Sequence, residues 1–417
     1  MKNQPGSDVR SDRICAAVLA GLALFYPVAF GAVYPWAFMG GAAVLFFLVF
    51  LFAPTLQPAS MPPGILLWGM LGLWITFQSF FLSWDSPESI LQLLKWFSMA
   101  ALFLLCQRLD RAAVIRCFWG IALFGALEAV YGLIQLGVNS ELVLWLKKTA
   151  HAGFATGTFM NRNHFAGFLE MAIGIQVGLF FRAYKKKEFW HIVLLSCFFV
   201  FSIIALVKSG SRTGIASCLF MLVLLFLWVR TKVNQSGILV VSFMFCFIAL
   251  GLSWGWDILF PRIEDSVQVM GTLDGRWPVW KDVFNMAGKT GLLGTGLGTF
   301  GQAFPLFQSR ASEFAWTHAH NDYLEIGFEI GFPAAMLLFG LVLSFFAGII
   351  SGMRERSVST ALILAGGLAG VCALCVHALS DFSFSIPSNQ FYFVFICSLM
   401  WRLKQFSRHR KGARAHG

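Results

Sequence analysis

Charge is scarce in this sequence, and polar stretches long enough to build a soluble domain are missing. Only 12% of the 417 residues are charged and 58% are hydrophobic, with 46 Phe and 15 Trp. Soluble domains are about 45–50% apolar and about 25% charged, so the composition excludes a soluble enzyme. The excess of Phe and Trp is typical of lipid-facing and interfacial surfaces. We therefore expect one membrane domain.

The sequence also lacks a disulfide framework, a zinc-binding cluster and an internal repeat. Its nine cysteines all lie within or beside hydrophobic segments, an odd set that favours small core residues over disulfides. No Asp-x-Asp stands in an early loop, where metal-dependent lipid-linked oligosaccharyltransferases bind a divalent cation. The missing repeat weighs against transporters built from inverted halves. We expect no metal and no other cofactor.

Long apolar runs predict an all-α, polytopic membrane protein of about twelve transmembrane helices. The segments are residues 14–30, 34–53, 64–82, 90–106, 112–136, 159–181, 190–207, 213–229, 237–256, 323–350, 358–380 and 389–403. The chain then divides into helices 1–9 (residues 1–256), one large loop (257–322), and helices 10–12 with a basic tail (323–417). The first segment can also be read as a cleaved signal peptide, because small residues follow its apolar run.

Most lysines and arginines fall into short connections on one predicted side of the membrane. With the N-terminal tail inside, these basic clusters lie in the even-numbered connections and in the C-terminal tail. The positive-inside rule therefore predicts that both termini are cytoplasmic and that the large loop lies on the opposite, outer face of the membrane. The net charge of +11 then reflects topology, and we expect a lipid bilayer and no nucleic acid as partner.

Polar motifs gather at the predicted outer ends of the spans. They are Asn161-Arg162-Asn163, Ser211-Arg212, Gly275-Arg276-Trp277-Pro278-Val279-Trp280, the run Gly294-x-Gly296-x-Gly298, and His318-Ala319-His320-Asn321-Asp322-Tyr323-Leu324-Glu325. Ionisable groups at membrane depth are costly and therefore indicate function. The glycine run follows no strand-and-helix unit, so it is not a nucleotide fingerprint. We interpret it as a tight turn near the substrate.

The residues in these motifs resemble one known family. His320 and Asn321 followed by nine residues and then Gly331 are similar to the signature of O-antigen ligases. The other motifs, from Asn161 to the glycine run, also resemble the superfamily of O-antigen ligases and Wzy-type polymerases, and the resemblance covers roughly residues 155–335 by motif. Ala334 departs from the Gly, Thr or Tyr often found three residues after that glycine.

The resemblance implies a glycosyltransferase that moves a glycan from undecaprenyl pyrophosphate to an acceptor at the periplasmic face, inverting the anomeric centre without a metal. Arg212 and Arg276 are the candidate clamps for the pyrophosphate, because a guanidinium stays protonated and presents a planar fork to phosphate oxygens. His320 is the candidate base for the acceptor hydroxyl. The predicted substrate-binding residues are Asn321, Asn161, Asn163, Arg162, Trp280, Gly296, His318 and Glu325.

Several alternatives stay open from the sequence. The acceptor can be lipid A-core, as in a ligase, or another repeat unit, as in an O-antigen or exopolysaccharide polymerase; a flippase for lipid-linked sugars is a further alternative. The arginines can be interfacial anchors, and the tryptophans an aromatic belt. Asp322, Glu325 and Glu329 share one helical face; one of them can orient His320 or the arginines, or they can cap and charge the helix N-terminus, which is favoured for Asp322. Lys95, Glu128 and Glu170 are expected to pair with one another inside the bundle, with a proton path as the alternative.

Overall fold

The computed structural model describes residues 9–55, 61–62, 64–232, 276–287, 291–309, 315–354 and 357–406. Its α-helices are α1 (Val9–Val28), α2 (Pro35–Phe52), α3 (Ile65–Phe81), α4 (Ser86–Cys106), α5 (Arg111–Val138), α6 (Arg162–Lys186), α7 (Phe189–Lys208), α8 (Arg212–Val229), α9 (Arg276–Ala287), α10 (Phe300–Ala303), α11 (Asp322–Ile330), α12 (Phe332–Arg354), α13 (Val358–His377) and α14 (Pro387–Gln405). A small antiparallel hairpin, β1 (Leu142–Val143) and β2 (Leu146–Lys147), follows α5.

The all-α membrane architecture is confirmed in the described part of the chain. There, nine helices are long and apolar enough to cross a bilayer (α1, α2, α4–α8, α12 and α13), and α3 is a shorter apolar helix. Each predicted segment except the ninth has a helix at its position, α14 matching the last. The ninth segment, 237–256, lies outside the described residues, as do many residues of the predicted loop 257–322. The total of about twelve spans therefore stays a prediction.

The prediction that residues 323–350 form one helix is wrong. The apolar run is broken at Gly331, whose φ of 88° and ψ of 139° separate α11 from α12. Only glycine adopts such a conformation readily, and a side chain there would also overlap the carbonyl oxygen of Leu292. The nine residues of α11 are too few to cross a bilayer, so α11 belongs to the candidate site and α12 to the membrane.

The centre of the bundle is α6, whose apolar window is entirely buried. It packs against α13 through glycines on both helices: Gly174 and Gly178 face Gly366 and Gly370, and a side chain at any of them would overlap the partner's backbone. Small residues let two membrane helices approach this closely. As a result, the beginnings of α6 and α8 and the end of α13 meet at one end of the bundle, which we call the site end.

Candidate functional site

The loop that joins α13 to α14, residues 378–386, gathers the predicted site residues from three distant segments. Thr213, which follows Arg212 at the start of α8, shares a 2.7 Å hydroxyl–hydroxyl hydrogen bond with Ser380. The Arg276 guanidinium donates to the carbonyl of the same Ser380. Asn321 donates from its amide to the carbonyl of Leu379 at 3.0 Å. This 378–386 loop is therefore the common support of the site.

His320 faces a buried carboxylate in that loop. Its Nδ1 lies 3.5 Å from Oδ1 of Asp381, and the side chains are 27% and 2% exposed. Burial by itself raises the pKa of Asp381, but the imidazole of His320 and the other basic groups around it outweigh this effect and bring the pKa well below its usual value. The pair has the arrangement of an imidazole oriented by an ionised carboxylate, which leaves Nε2 as the nitrogen available to a substrate.

Three histidines surround one aromatic ring of the 378–386 loop. The ring of Phe382 is stacked on His318, with centroids 4.0 Å apart and planes at 6°, and it meets His320 and His164 edge-on at 4.9 and 4.7 Å. A packed aromatic ring restricts the rotation of the imidazoles that touch it. Phe382 thereby fixes the plane of the His320 ring beside Asp381.

The segment that carries both histidines is held from two sides. His318 Nδ1 and Glu325 Oε1 are 2.7 Å apart, and the other oxygen of Glu325 accepts from the amide of Ala319 at 2.8 Å. On the opposite side, the indole of Trp280 donates to the carbonyl of Ala319 at 2.9 Å. His320 itself has a φ of 49°, a left-handed conformation that His, Asn and Asp tolerate better than most residues. The predicted residues Trp280 and Glu325 thus hold the segment that presents His320.

The cap of α11 is Asn321 and not Asp322 as the sequence suggested. The Asn321 side chain accepts from the amides of Tyr323 and Leu324, each at 3.1 Å, so both ends of its amide are engaged within the protein. The Asp322 carboxylate instead accepts from the amide of Phe384 at 2.9 Å. Burial, reinforced by the neighbouring Glu325, raises the pKa of Asp322 well above its usual value.

Two cationic side chains lie around Phe154, at the start of α6. Arg162, the first residue of α6, has its guanidinium 4.3 Å from the centre of the Phe154 ring and 3.5 Å from the carbonyl of Gly210. Lys148 donates to the carbonyl of Phe154 at 3.0 Å, and burial lowers its pKa to about 8. Both side chains are buried. Within the described residues, neither cation has a carboxylate within 4.0 Å.

Among the remaining predicted residues, Arg212 and Arg276 begin α8 and the described part of α9. Arg212 is exposed and Arg276 is half-buried; burial lowers the pKa of Arg276, and the charge of Asp381 opposes that effect. Asn161 caps α6 by accepting from the amide of Asn163 at 2.9 Å. The side chain of Asn163 is half-buried at the same helix start.

The glycine run forms tight turns, as predicted, and its contacts in the described part of the chain are with the α3–α4 connection and with α11. Gly294, Gly296 and Gly298 have φ of 74°, 111° and 72°. A side chain at Gly296 would overlap the hydroxyl of Ser83, and Ser89 of α4 donates to the carbonyl of Leu297 at 2.8 Å. The glycine run therefore joins the connection between α3 and α4 to α11, and these contacts stabilise the fold.

The predicted mutual pairing of Lys95, Glu128 and Glu170 is wrong. Lys95 donates to the carbonyl of Ser385 at 3.3 Å, and Glu128 accepts from the amide and hydroxyl of Thr158 at 3.0 and 2.9 Å. Glu170 lies 2.7 Å from Nδ1 of His377. Each group is stabilised by a neighbour that supplies the matching donor or acceptor, because a lone charge in a membrane bundle is costly.

Sequence reasoning missed three residues of this site: Asp381, Phe382 and His377. The signal was present, since His377 and Asp381 stand four positions apart at the end of a predicted span and can therefore face each other across one turn.

Residues 197–339 match the protein-family model described as O-antigen ligase. The matched segment includes Arg212, Arg276 and His320 and ends before Asp381. No curated protein matches the chain. Residues 197–339 are therefore similar to O-antigen ligases, and the resemblance drawn from the motifs is confirmed for that segment.

Proposed function

We propose that this protein is an inverting, metal-independent glycosyltransferase of the O-antigen ligase type. It transfers a glycan from undecaprenyl pyrophosphate to the core sugars of lipid A at the periplasmic face of the bacterial inner membrane. The single observation that carries the proposal is the convergence of three distant segments on the 378–386 loop, where Thr213 and Arg276 contact Ser380 while His320 faces Asp381. The family match supports the class of reaction.

The base in this reaction is His320. Its Nδ1 lies 3.5 Å from the Asp381 carboxylate, which favours the tautomer protonated at Nδ1. In that tautomer Nε2 accepts the proton of the acceptor hydroxyl as that oxygen attacks the anomeric carbon. Asp381 then stabilises the imidazolium that forms, as a buried carboxylate does in a catalytic triad. Attack from the face opposite the leaving group inverts the anomeric centre.

The arginines bind the leaving diphosphate. As the bond between the anomeric carbon and the diphosphate oxygen breaks, negative charge grows on that oxygen, and Arg212 and Arg276 stabilise it with charge-assisted hydrogen bonds. A cation needs no proton transfer for this task, and two guanidinium groups supply the charge that a metal supplies in other transferases. Arg276 is anchored at Ser380, close to the base.

Arg162 and Lys148 extend the same anion site. A positive charge at the first residue of a helix opposes the helix dipole, yet α6 and α8 begin with Arg162 and Arg212, and the Arg162 guanidinium contacts the carbonyl of Gly210 just before α8. Because the described residues give Arg162 no carboxylate, a phosphate ligand is the partner that best compensates its burial. We therefore propose that the diphosphate binds between the starts of α6 and α8.

The proposal is tested by glycan transfer in proteoliposomes that contain the purified protein, a lipid-linked donor and a lipid A-core acceptor. The variant His320→Asn keeps a residue that tolerates left-handed backbone, and we expect it to lower the rate by about 10²–10⁴. The matched control is His191→Asn, an exposed histidine at the start of α7 that contacts Glu188. Wild-type turnover in His320→Asn, with normal folding, would remove His320 from the mechanism.

The same assay separates the ligase from its alternatives. Addition of the glycan to lipid A-core identifies a ligase. Growth of the donor glycan without a core acceptor identifies a Wzy-type polymerase, in which the same residues perform the same chemistry on another hydroxyl. Movement of the lipid-linked sugar across the bilayer without any new glycosidic bond would contradict the transferase assignment.

A further inference from the structure

The His320–Asp381 pair continues into the membrane bundle through two more ionisable groups. The second oxygen of Asp381 lies 3.9 Å from Nε2 of His377, and Nδ1 of His377 lies 2.7 Å from Oε1 of Glu170. The side chains of His377 and Glu170 are fully buried and that of Asp381 is 2% exposed. Imidazole and carboxylate thus alternate along a line of four residues, of which His320 alone is substantially open to solvent.

The line joins four separate segments of the chain. Glu170 is on α6, His377 ends α13, Asp381 is in the 378–386 loop and His320 precedes α11. The groups that face them from the surrounding elements are His164 of α6, Arg276 of α9 and Asp322 of α11 toward Asp381, Arg276 also toward His377, and Ser217 and Cys218 of α8 toward Glu170. Arg276, one of the proposed diphosphate clamps, therefore adjoins both Asp381 and His377.

A simple ion pair between two helices does not account for this arrangement. Nε2 of His377 is buried and, in the described part of the chain, has no hydrogen-bond partner at the usual distance, although buried polar atoms are nearly always bonded. The nearest acceptor is the Asp381 carboxylate, so a small movement of the 378–386 loop completes the bond. His377 is therefore aimed at the carboxylate that orients the base.

We propose that His377 and Glu170 are positioning residues for His320, acting through Asp381. This inference rests on the proposed function. Glu170 accepts Nδ1–H of His377, which fixes the ring so that Nε2–H is directed at Asp381. Asp381 is thereby held ionised, with its other oxygen turned toward Nδ1–H of His320.

The proton balance of the step is local. The proton of the acceptor hydroxyl moves to Nε2 of His320 while the glycosidic bond to the diphosphate breaks, and the Nδ1 proton stays on His320, shared with Asp381. His377 and Glu170 exchange no proton with the substrate. The imidazolium of His320 returns its proton to water after the products leave, so the line compensates charge and does not conduct protons through the membrane.

The test compares His377→Gln and Glu170→Gln with wild type for kcat, KM and the pH dependence of kcat/KM. Loss of a residue that orients a functional side chain lowers activity by about 10–100-fold, and we expect kcat to fall while the KM for the donor is unchanged. In His377→Gln a positive charge disappears next to Asp381, so the acid limb of the profile moves to higher pH, by about one unit. In Glu170→Gln the negative charge of Glu170 is lost, and His377 then also loses the proton that this carboxylate stabilised. The two changes in charge offset each other, so the acid limb of the pH profile moves less than in His377→Gln.

The matched control is Gln176→Leu. Gln176 is buried on the same helix and donates to Ser202 at 3.0 Å, with no contact to the site. We expect this variant to lower thermal stability and to leave the pH profile in place. If His377→Gln does not fold, kcat and the pH dependence of kcat/KM are compared between Glu170→Gln and wild type alone.

The outcomes separate the two proposals. If wild type transfers glycan and His320→Asn does not, while the His377 and Glu170 variants keep the wild-type kcat and acid limb, the positioning inference is overturned and the transferase assignment stands. Loss of stability alone, as in Gln176→Leu, also overturns it. If wild type transfers no glycan to any acceptor, the proposed function itself fails.

Discussion

The arginine and lysine side chains compared at the two ends of the helix bundle have different kinds of partner. At the end opposite the site, Arg108 lies 2.8 Å from Asp12 and Arg182 lies 3.5 Å from Glu188. At the site end, Arg162 and Lys148 are buried, yet within the described residues they contact carbonyl groups, an amide oxygen and an aromatic ring and no carboxylate. Both Arg108 and Arg162 stack on a phenylalanine ring: the Arg108 guanidinium lies 4.4 Å from the centre of the Phe52 ring and that of Arg162 lies 4.3 Å from the centre of the Phe154 ring.

On the proposed function, this difference separates the charges that stabilise the fold from those that bind a ligand. A buried cation without an anion costs several kcal/mol, and carboxylates for neutralising it are present at the site end. These carboxylates are committed elsewhere: Asp381 faces His320, Glu325 binds His318, and Asp322 accepts from the backbone. On the proposed function, the diphosphate of the donor supplies the missing negative charge.

The largest effect that separates the two ends is expected for Arg276→Ala. Removing a charge that stabilises the leaving group only in the transition state lowers kcat by about 10²–10³, and Arg276→Lys should recover part of the activity because a point charge remains. Arg182→Ala at the opposite end is the control. Glycan transfer by purified protein measures all three, and equal activity of Arg276→Ala and Arg182→Ala would contradict the comparison.

The second largest effect is expected when Arg162→Met and Arg108→Met are compared for donor KM and for stability. Loss of Arg162 removes part of the diphosphate site, so we expect the KM for the donor to rise about tenfold, with a melting temperature that is unchanged or higher. Loss of Arg108 leaves Asp12 without its partner, so we expect stability to fall by about 3 kcal/mol with normal KM. Donor titration and thermal unfolding in detergent distinguish them, and the reverse pattern would show that Arg162 is structural.

A smaller effect is expected for Asn321→Ala. Loss of a helix cap costs about 1 kcal/mol, and here it also frees the 378–386 loop at Leu379. We expect a several-fold lower kcat and faster proteolysis of the segment before α11. Asn321→Asp retains the acceptor that caps α11, so it should recover the helix cap. If Asn321→Ala binds donor poorly but folds normally, Asn321 contacts the substrate instead.

The smallest effect is the pH dependence contributed by Lys148. Burial lowers its pKa from 10.5 to about 8, so between these pH values the unfolded chain holds more protons than the folded protein, and stability rises as pH increases. We expect Lys148→Gln to weaken that rise, measured as the melting temperature at pH 8 and pH 10. A bound diphosphate lipid should weaken it too, because a nearby anion favours the charged lysine.

The helices were largely predictable from the sequence because apolar runs of membrane length have few alternatives. The break at Gly331 was missed, since the apolar pattern of 323–350 continues across it and only contact with Leu292 and the positive φ reveal it. His320 and the two arginines were found by resemblance to a motif. Asp381 and His377 were not found, because the pairing of His377 with Glu170 spans 207 positions and depends on how α6 packs on α13.

The glycine contact between α6 and α13 has a consequence for how the protein meets its lipid environment. Since backbone meets backbone at Gly174 and Gly366, the spacing of Glu170 and His377 is set by main-chain contact and not by side chains that soften with temperature or detergent. Thinner or thicker bilayers should therefore tilt these two helices as a unit. We expect the rate of the chemical step to be nearly insensitive to acyl-chain length, so that any dependence on the lipid arises in donor binding.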